Sequence, residues 1–275
     1  MSTVDVAIVG AGPTGLALAT GLRAAGVDVR VLDRATAPAT TSRALGLQPR
    51  GVEVLDRLGA LGDLPARSLP VEEVAIVVGG ALLARLDLRR PTRLVTRPGL
   101  IMSQVEVEDA LRRRLAELGG AVELGWELTG LASDEHGVVL TSGAGEQVRA
   151  RWVVGADGAH SRVREQAGIG FPGVPLAERF VLADVHADLP MPRTAVTTFL
   201  GDEGMLALFP LPGEGLWRLL AARPGTDATT PEPDRAAVVA ALLDGLERTA
   251  HLGADTVRDV VWASAVRSHR RLASS

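Results

Sequence analysis

The chain contains no cysteine, which excludes disulfides, thiolate nucleophiles and zinc–cysteine centres. Lysine is absent as well, so neither a Walker-type phosphate lysine nor Schiff-base chemistry is available. Without tyrosine or lysine there is no Tyr/Lys proton-transfer pair of the short-chain dehydrogenase kind. All 29 basic residues are arginine, and any side-chain recognition of phosphate must use guanidinium groups. The five histidines (His136, His160, His186, His251, His269) lack ligand spacing, so no metal site is expected. A net charge of −4 gives no pull toward polyanions, and nucleic acid is not an expected partner. No apolar run approaches the roughly 18 residues of a membrane span, so no membrane association and a cytoplasmic location are expected.

What the chain does contain is a pair of glycine-bearing turns whose first residues, Gly10 and Gly155, are 145 positions apart. The first, Gly10-Ala11-Gly12-Pro13-Thr14-Gly15, follows the apolar run Val4–Val9; the second, Gly155-Ala156-Asp157-Gly158-Ala159-His160-Ser161-Arg162, follows Trp152-Val153-Val154. Each reads as a strand ending in a turn that opens a helix. Two such turns point to one dinucleotide held from two sides. With 275 residues, the chain is long enough for one large or two intertwined domains.

The pattern predicts a helix over Leu16–Ala25, stopped by Gly26, and a strand over Val27–Asp33. A short helix is expected over Val52–Leu61. Antiparallel strands are expected within residues 71–97, and a helix over Ile101–Leu118 with Ser103 and Glu106 as a capping box. Strands then lead to the second turn, and a short helix is expected over Arg162–Ala167. From Val181 to Ala222 the pattern is strand-like again, followed by a helix near Pro233–Glu247 and a strand over Val257–Ala265. The fold class is α/β: a Rossmann-like domain (residues 1–69 and 95–175) intertwined with an antiparallel-sheet domain (70–94 and 176–275).

In the first turn Gly10 permits the tight bend, Gly12 lets a pyrophosphate approach and Gly15 allows close helix–strand packing. The helix start supplies backbone donors for phosphates. Asp33 lies 21 residues after Gly12, where a carboxylate can accept ribose hydroxyls; otherwise it is a solvated strand end. Arg34 beside it suggests a 2′-phosphate contact. Arg43 offers a cation on a loop passing over a diphosphate, or is a surface residue. Gln104, at a helix start, is equally open between solvation and function. Asp157 either anchors a cofactor or caps the helix that follows, together with Ser161.

Taken together, these residues resemble the group A flavin-dependent aromatic hydroxylases, the p-hydroxybenzoate hydroxylase fold, and especially the actinobacterial aromatic-polyketide hydroxylases. Four segments carry the likeness: the Gly10–Gly15 turn with Pro13 after the second glycine, Ser42–Arg50 followed by Glu53-Val54-Leu55, Ser103–Glu108, and Gly155–Arg164. The resemblance implies that NAD(P)H reduces bound FAD, that oxygen adds at the flavin C4a carbon, and that the hydroperoxide passes one oxygen atom to an electron-rich ring. The implied cofactor residues are Gly10, Gly12, Pro13, Thr14, Gly15, Asp33, Arg34, Arg43, Gln104, Leu128, Asp157, Gly158, His160 and Arg164. Of these, Arg43, His160 and Arg164 are implied to steer the nicotinamide cofactor. Phe199, Phe209 and Trp217 are either liners of the substrate cavity or core.

One departure matters. In the family a further strand ending in Gly-Asp follows the His269-Arg270-Arg271-Leu272-Ala273 stretch, and this sequence ends at Ser275 without it. The expectation is therefore a fold truncated at its C-terminal side, with an unpaired strand in the nucleotide sheet and weak or absent FAD binding by this chain alone. A complementing C-terminal fragment or partner chain would supply the strand. Two functions follow: an aromatic monooxygenase using FAD, NAD(P)H and O2, or a non-catalytic accessory relative that has lost tight FAD binding. A plain NAD-dependent dehydrogenase is disfavoured by the second turn and the absent Tyr/Lys pair.

Overall fold

The computed structural model describes residues 3–42, 44–90, 96–202, 204–223 and 232–274. In chain order its elements are β1 (Thr3–Val9), α1 (Pro13–Ala24), β2 (Val29–Asp33), α2 (Pro49–Arg57), α3 (Leu64–Arg67), β3 (Leu69–Pro70), β4 (Glu73–Val78) and β5 (Ala81–Asp87). There follow β6 (Leu100–Ile101), α4 (Gln104–Glu117), β7 (Val122–Leu124), β8 (Leu128–Asp134), β9 (Gly137–Ser142), β10 (Gln147–Gly155) and α5 (Arg162–Gln166). The last are β11 (Gly173–Ala187), β12 (Ala195–Gly201), β13 (Gly204–Pro210), β14 (Leu216–Arg223), α6 (Arg235–Arg248) and β15 (Val257–Arg271).

Helix starts are set by proline and by polar caps. Pro13 and Pro49 take the first position of α1 and α2, where the missing N–H has no helical partner and the fixed φ suits the turn. Both helices therefore begin three residues before the first apolar position of the expected spans. Gly26, at φ +79°, turns the chain out of α1. At α4 only part of the expected capping box forms. Ser103 accepts the Val105 N–H at 3.3 Å, but the Glu106 side chain is drawn away into an ion pair with Arg67. Asp234 caps α6 through the Ala237 N–H at 2.8 Å.

Two large sheets result. A six-stranded sheet runs β7-β2-β1-β10-β9-β8, parallel from β7 to β10 and antiparallel from β10 to β8. On one of its faces Val6, Ile8 and Val31 pack against Leu16 and Ala19 of α1, Leu55 of α2 and Leu111 of α4. On the other, Ala7, Val9 and Leu32 pack with Trp126, Leu128, Leu140 and Ala150. A seven-stranded sheet runs β15-β11-β14-β13-β12-β4-β5, antiparallel except where β12 meets β4. One of its faces is covered by Val238, Leu242 and Leu246 of α6.

β10 has uneven partners. Along one edge Arg149–Gly155 pair with Thr3–Val9, whereas on the other only Gln147–Ala150 pair, with β9. Among the described residues, 151–155 have no strand on that second edge, and Trp152 is 67% exposed. No helix among the described residues is long and apolar enough to cross a membrane.

Candidate functional site

The parallel pairing of β1 with β10 puts Val9 beside Gly155, so both glycine turns leave the sheet side by side at the carboxyl ends of adjacent strands. This is where open α/β sheets bind ligands. Backbone bonds tie each turn to a neighbouring strand: the Ala156 N–H of the second turn donates to the Val9 carbonyl of β1 at 2.7 Å, and the Gly10 N–H of the first to the Leu32 carbonyl of β2 at 2.8 Å. Gly10 has φ +106°, and a Cβ there would sit 2.4 Å from the Ala156 oxygen. A Cβ at Gly15 would lie 1.9 Å from the Gly10 oxygen. Both glycines are therefore required by the protein's own packing.

Gly12 differs. Its φ is −73° and nothing lies within 4 Å of a Cβ placed there. Neither backbone conformation nor crowding demands glycine at this position; the close approach of a ligand to the start of α1 would. Gly12 carries no side-chain cap, and the first N–H groups of a helix have no intrahelical partner, so those of Thr14 and Gly15 are free of helical bonds. A diphosphate suits this cradle, and the residues present fit a dinucleotide such as FAD.

Asp33 joins the turn to the second strand. Its Oδ2 accepts the Ala11 N–H at 2.5 Å and its Oδ1 the Ala35 N–H at 2.8 Å. The carboxylate thus pins the glycine turn, and the remaining lone pairs of each oxygen can serve hydroxyls. A cleft opens beside it, lined by Gly10, Asp33, Arg34, Leu128, Asp157 and His160 among the candidates, together with Trp126, Glu127 and Arg162. Trp126 is buried with its indole Nε1 unpartnered among the described residues. It is positioned by its own N–H, which donates to the Asp33 carbonyl at 2.8 Å. A lone tryptophan two residues before Leu128 carries no motif, so no pattern in the sequence points to it.

Asp157 is held by its own loop, accepting the Ser161 hydroxyl at 2.5 Å, the Arg162 N–H at 2.6 Å and the Val163 N–H at 3.2 Å. It is a cap of α5 and also a wall of the cleft. Arg164 turns back: its guanidinium lies 4.6 Å from the Phe171 ring centroid and donates to the Ala159 carbonyl at 3.1 Å. It is not part of the cleft wall. Gly158, at φ +80°, completes the second turn. Gln104 lies away from this cleft at the start of α4, donating to Glu108 at 2.8 Å. Arg43 lies outside the described residues.

Two cavities share Leu45 in their walls. One, of about 490 Å³, is mostly apolar, with Leu47, Val74, Leu100, Val196 and Phe209 in its wall. Asp87 in the same wall has its carboxyl held well below the usual range by the Arg89 guanidinium. The other, of about 630 Å³, includes Ser42, Met102, Ser103, Trp262 and the Asp184–Arg218 pair. Arg218 is 5% exposed and binds Asp184 bidentately at 2.6 and 2.9 Å; its Nη2 also donates to the Ser42 carbonyl at 3.3 Å. Of the three candidate substrate liners Phe209 lies in the wall of the apolar cavity. Phe199 and Trp217 lie in the core against α6. The pleat decides this, because side chains alternate faces along a strand and each sits an odd number of positions from a cavity-facing neighbour, Val196 or Arg218.

Comparison with known proteins agrees with this geometry. A profile of the family described as FAD binding domain matches residues 3–275. The chain is 36% identical over 274 residues to 6-methylpretetramide 4-monooxygenase of Streptomyces rimosus, covering 98% of this chain and 48% of that protein. It thus spans about half the length of that curated relative. The p-nitrophenol 4-monooxygenase of Pseudomonas putida DLL-E4 superposes with a TM-score of 0.83 at 28% identity, over 100% of this chain and 70% of that one. A flavin-dependent monooxygenase, PieE, solved with FAD and substrate superposes with a TM-score of 0.81 at 26% identity, over 99% of this chain and 51% of that one.

Proposed function

The chain belongs to the FAD binding domain family, and from that premise we propose that the protein is an FAD- and NAD(P)H-dependent monooxygenase acting on an aromatic substrate of polyketide type. One observation carries the reading: two glycine turns from distant parts of the chain lie backbone to backbone at the ends of β1 and β10, beside an acid-walled cleft. The named activities of the relatives, on 6-methylpretetramide and on p-nitrophenol, support the substrate class.

Gly12 and the N–H groups of Thr14 and Gly15, with Pro13 fixing the helix start, would hold the diphosphate. Asp33 would take the adenosine ribose hydroxyls, with Arg34, Trp126 and Leu128 around the adenosine. Gln104 would meet the flavin half, and His160 and Arg162, on the rim of the cleft, would face the nicotinamide cofactor. When bound and reduced by NAD(P)H, FAD supplies the activation of O2 for transfer of one oxygen atom to an electron-rich ring. The protein's part is to bind, to orient and to keep water out. Its apolar cavity of about 490 Å³, with Leu47, Val74, Val196 and Phe209, suits a flat hydrophobic substrate.

The open edge of β10 favours a second reading. A strand supplied by another segment or a partner chain would pair with residues 151–155 and complete the cofactor wall; without it, the chain is a binding relative with weak FAD affinity. Titration of the purified chain with FAD, followed by desalting and absorbance, separates the two. Retained stoichiometric flavin, with oxygen uptake on a phenolic polycyclic substrate, supports the first reading. Flavin retained only after a complementing segment is added supports the second. No FAD binding in either condition overturns both.

A further inference from the structure

Gln104, Glu108 and Arg112 are spaced by four along α4 and therefore share one face of the helix. They are joined in series. The Gln104 Nε2 donates to Glu108 Oε1 at 2.8 Å, and Arg112 Nη2 donates to Glu108 Oε2 at 3.1 Å. Arg112 continues the chain to the glycine turn, with Nη2 3.5 Å from the Ala11 carbonyl, and its Nη1 donates to Asp109 at 3.1 Å. Glu108 is 5% exposed, and Arg112 leaves its buried Nε without a partner among the described residues.

A buried acid in an incompletely satisfied network is a poor stabiliser, because both charges lose water and the return depends on every donor being met. An exposed i, i+4 pair would serve the helix as well at less cost. The network does something else: it links two elements of the cofactor site that are far apart in sequence, the glycine turn and the start of α4.

We propose that Glu108 and Arg112 are positioning residues that hold the Gln104 amide in one orientation, with its carbonyl oxygen left for the flavin half of the cofactor. The inference rests on the cofactor reading given above. Its chemical basis is simple. A carboxylate paired with arginine only accepts hydrogen bonds, whereas an amide has donors on nitrogen and an acceptor on oxygen. Glu108 therefore takes the nitrogen end, and Oε1 is the end that remains. The group that meets Oε1 must be a donor, such as a ribityl hydroxyl or a ring N–H, while the second amide N–H stays available to an acceptor beside it. Glu108 touches no cofactor atom in this scheme and acts through Gln104.

The test is a double-mutant cycle on the full chain, with FAD affinity read by quenching of flavin fluorescence in the wild type, Gln104→Ala, Glu108→Gln and the double variant. Glu108→Gln keeps the shape but can donate as well as accept, so Gln104 is free to flip. The expected result is about tenfold weaker FAD binding from Glu108→Gln when Gln104 is present, and less than about twofold when position 104 is alanine. Equal losses in both backgrounds, or no loss in either, would overturn the proposal. If Gln104→Ala binds FAD as the wild type does, it is the cofactor role of Gln104 that fails. A second measurement needs neither a variant nor cofactor. In the cofactor-free wild-type chain the Gln104 side-chain amide protons should exchange slowly by NMR. Rapid exchange there would overturn the strut whatever FAD does.

Discussion

The two walls of the candidate site are built on opposite plans. At the ends of β1 and β10 the working groups are main-chain N–H groups and the empty space above Gly12, set by short contiguous segments of chain. On the seven-stranded sheet the cavity wall is made of single side chains from several strands, Val74, Val196, Phe209 and Arg218, chosen by the pleat. Backbone sites are local in sequence because a turn is a local object. Side-chain walls are not, because register and twist between distant strands decide who faces whom. The first wall can therefore be damaged by adding one methyl group, and the second only by altering what projects from the correct face.

The largest expected effect contrasts the two faces of the seven-stranded sheet. Trp217→Ala should destabilise by about 3–5 kcal/mol, the cost of emptying a packed core site, since Trp217 is 2% exposed. Phe209→Ala should cost about 1 kcal/mol while changing substrate affinity, because it only enlarges the cavity. Chemical denaturation measures both, and equal losses would refute the assignment of faces.

Next comes a contrast within the glycine turn. Gly15→Ala should cost about 3 kcal/mol or more, because its Cβ would collide with the Gly10 carbonyl. Gly12→Ala should leave stability within about 0.5 kcal/mol, yet weaken FAD by at least about tenfold. A Gly12→Ala chain that binds FAD normally would show that the space above the turn serves no ligand.

The smallest effect lies far from both walls. Asp134, at the β8–β9 turn, has its carboxyl lowered to about 2 by the Arg149 guanidinium and the His136 N–H. A lowered folded value means that its contribution is complete above the ordinary carboxylate value and is lost as pH falls toward about 2. Asp134→Asn should therefore lower the melting temperature slightly at neutral pH, and the difference should fade as pH falls through about 2. The pair is solvent-exposed, so the effect should shrink further in high salt.

Much of this arrangement was legible beforehand. The glycine turns, Asp33 and the helix opening with Gln104 each announce themselves in a few consecutive residues, and the antiparallel pattern after Val181 does so by alternation. Phe199 and Trp217 stayed open between cavity and core, since which face an aromatic residue takes depends on strand register and pairing. Trp126 lay in no motif and became a cleft wall only through the pairing of β2 with β7. The helix spacing of Glu108 and Arg112 was readable, but their burial was not. That burial comes with the packing of α4 against α1, whose Leu16 and Ala19 share one core cluster with Leu111.

What the amino-acid sequence determined by itself is whatever depends on neighbours along the chain: strand, turn and helix at each glycine motif, the proline and serine helix starts, and the exclusion of thiol, lysine and tyrosine chemistry. Tertiary structure alone decided that the two turns share one cleft, that Leu45 divides two cavities, that Arg164 turns away onto Phe171, and that Glu108 ties Gln104 to the glycine turn. The reason is physical. Local elements form from short-range sterics and hydrogen bonds, whereas the meeting of β1 with β10, or α4 with α1, is a choice among surfaces that only burial of the whole core can make.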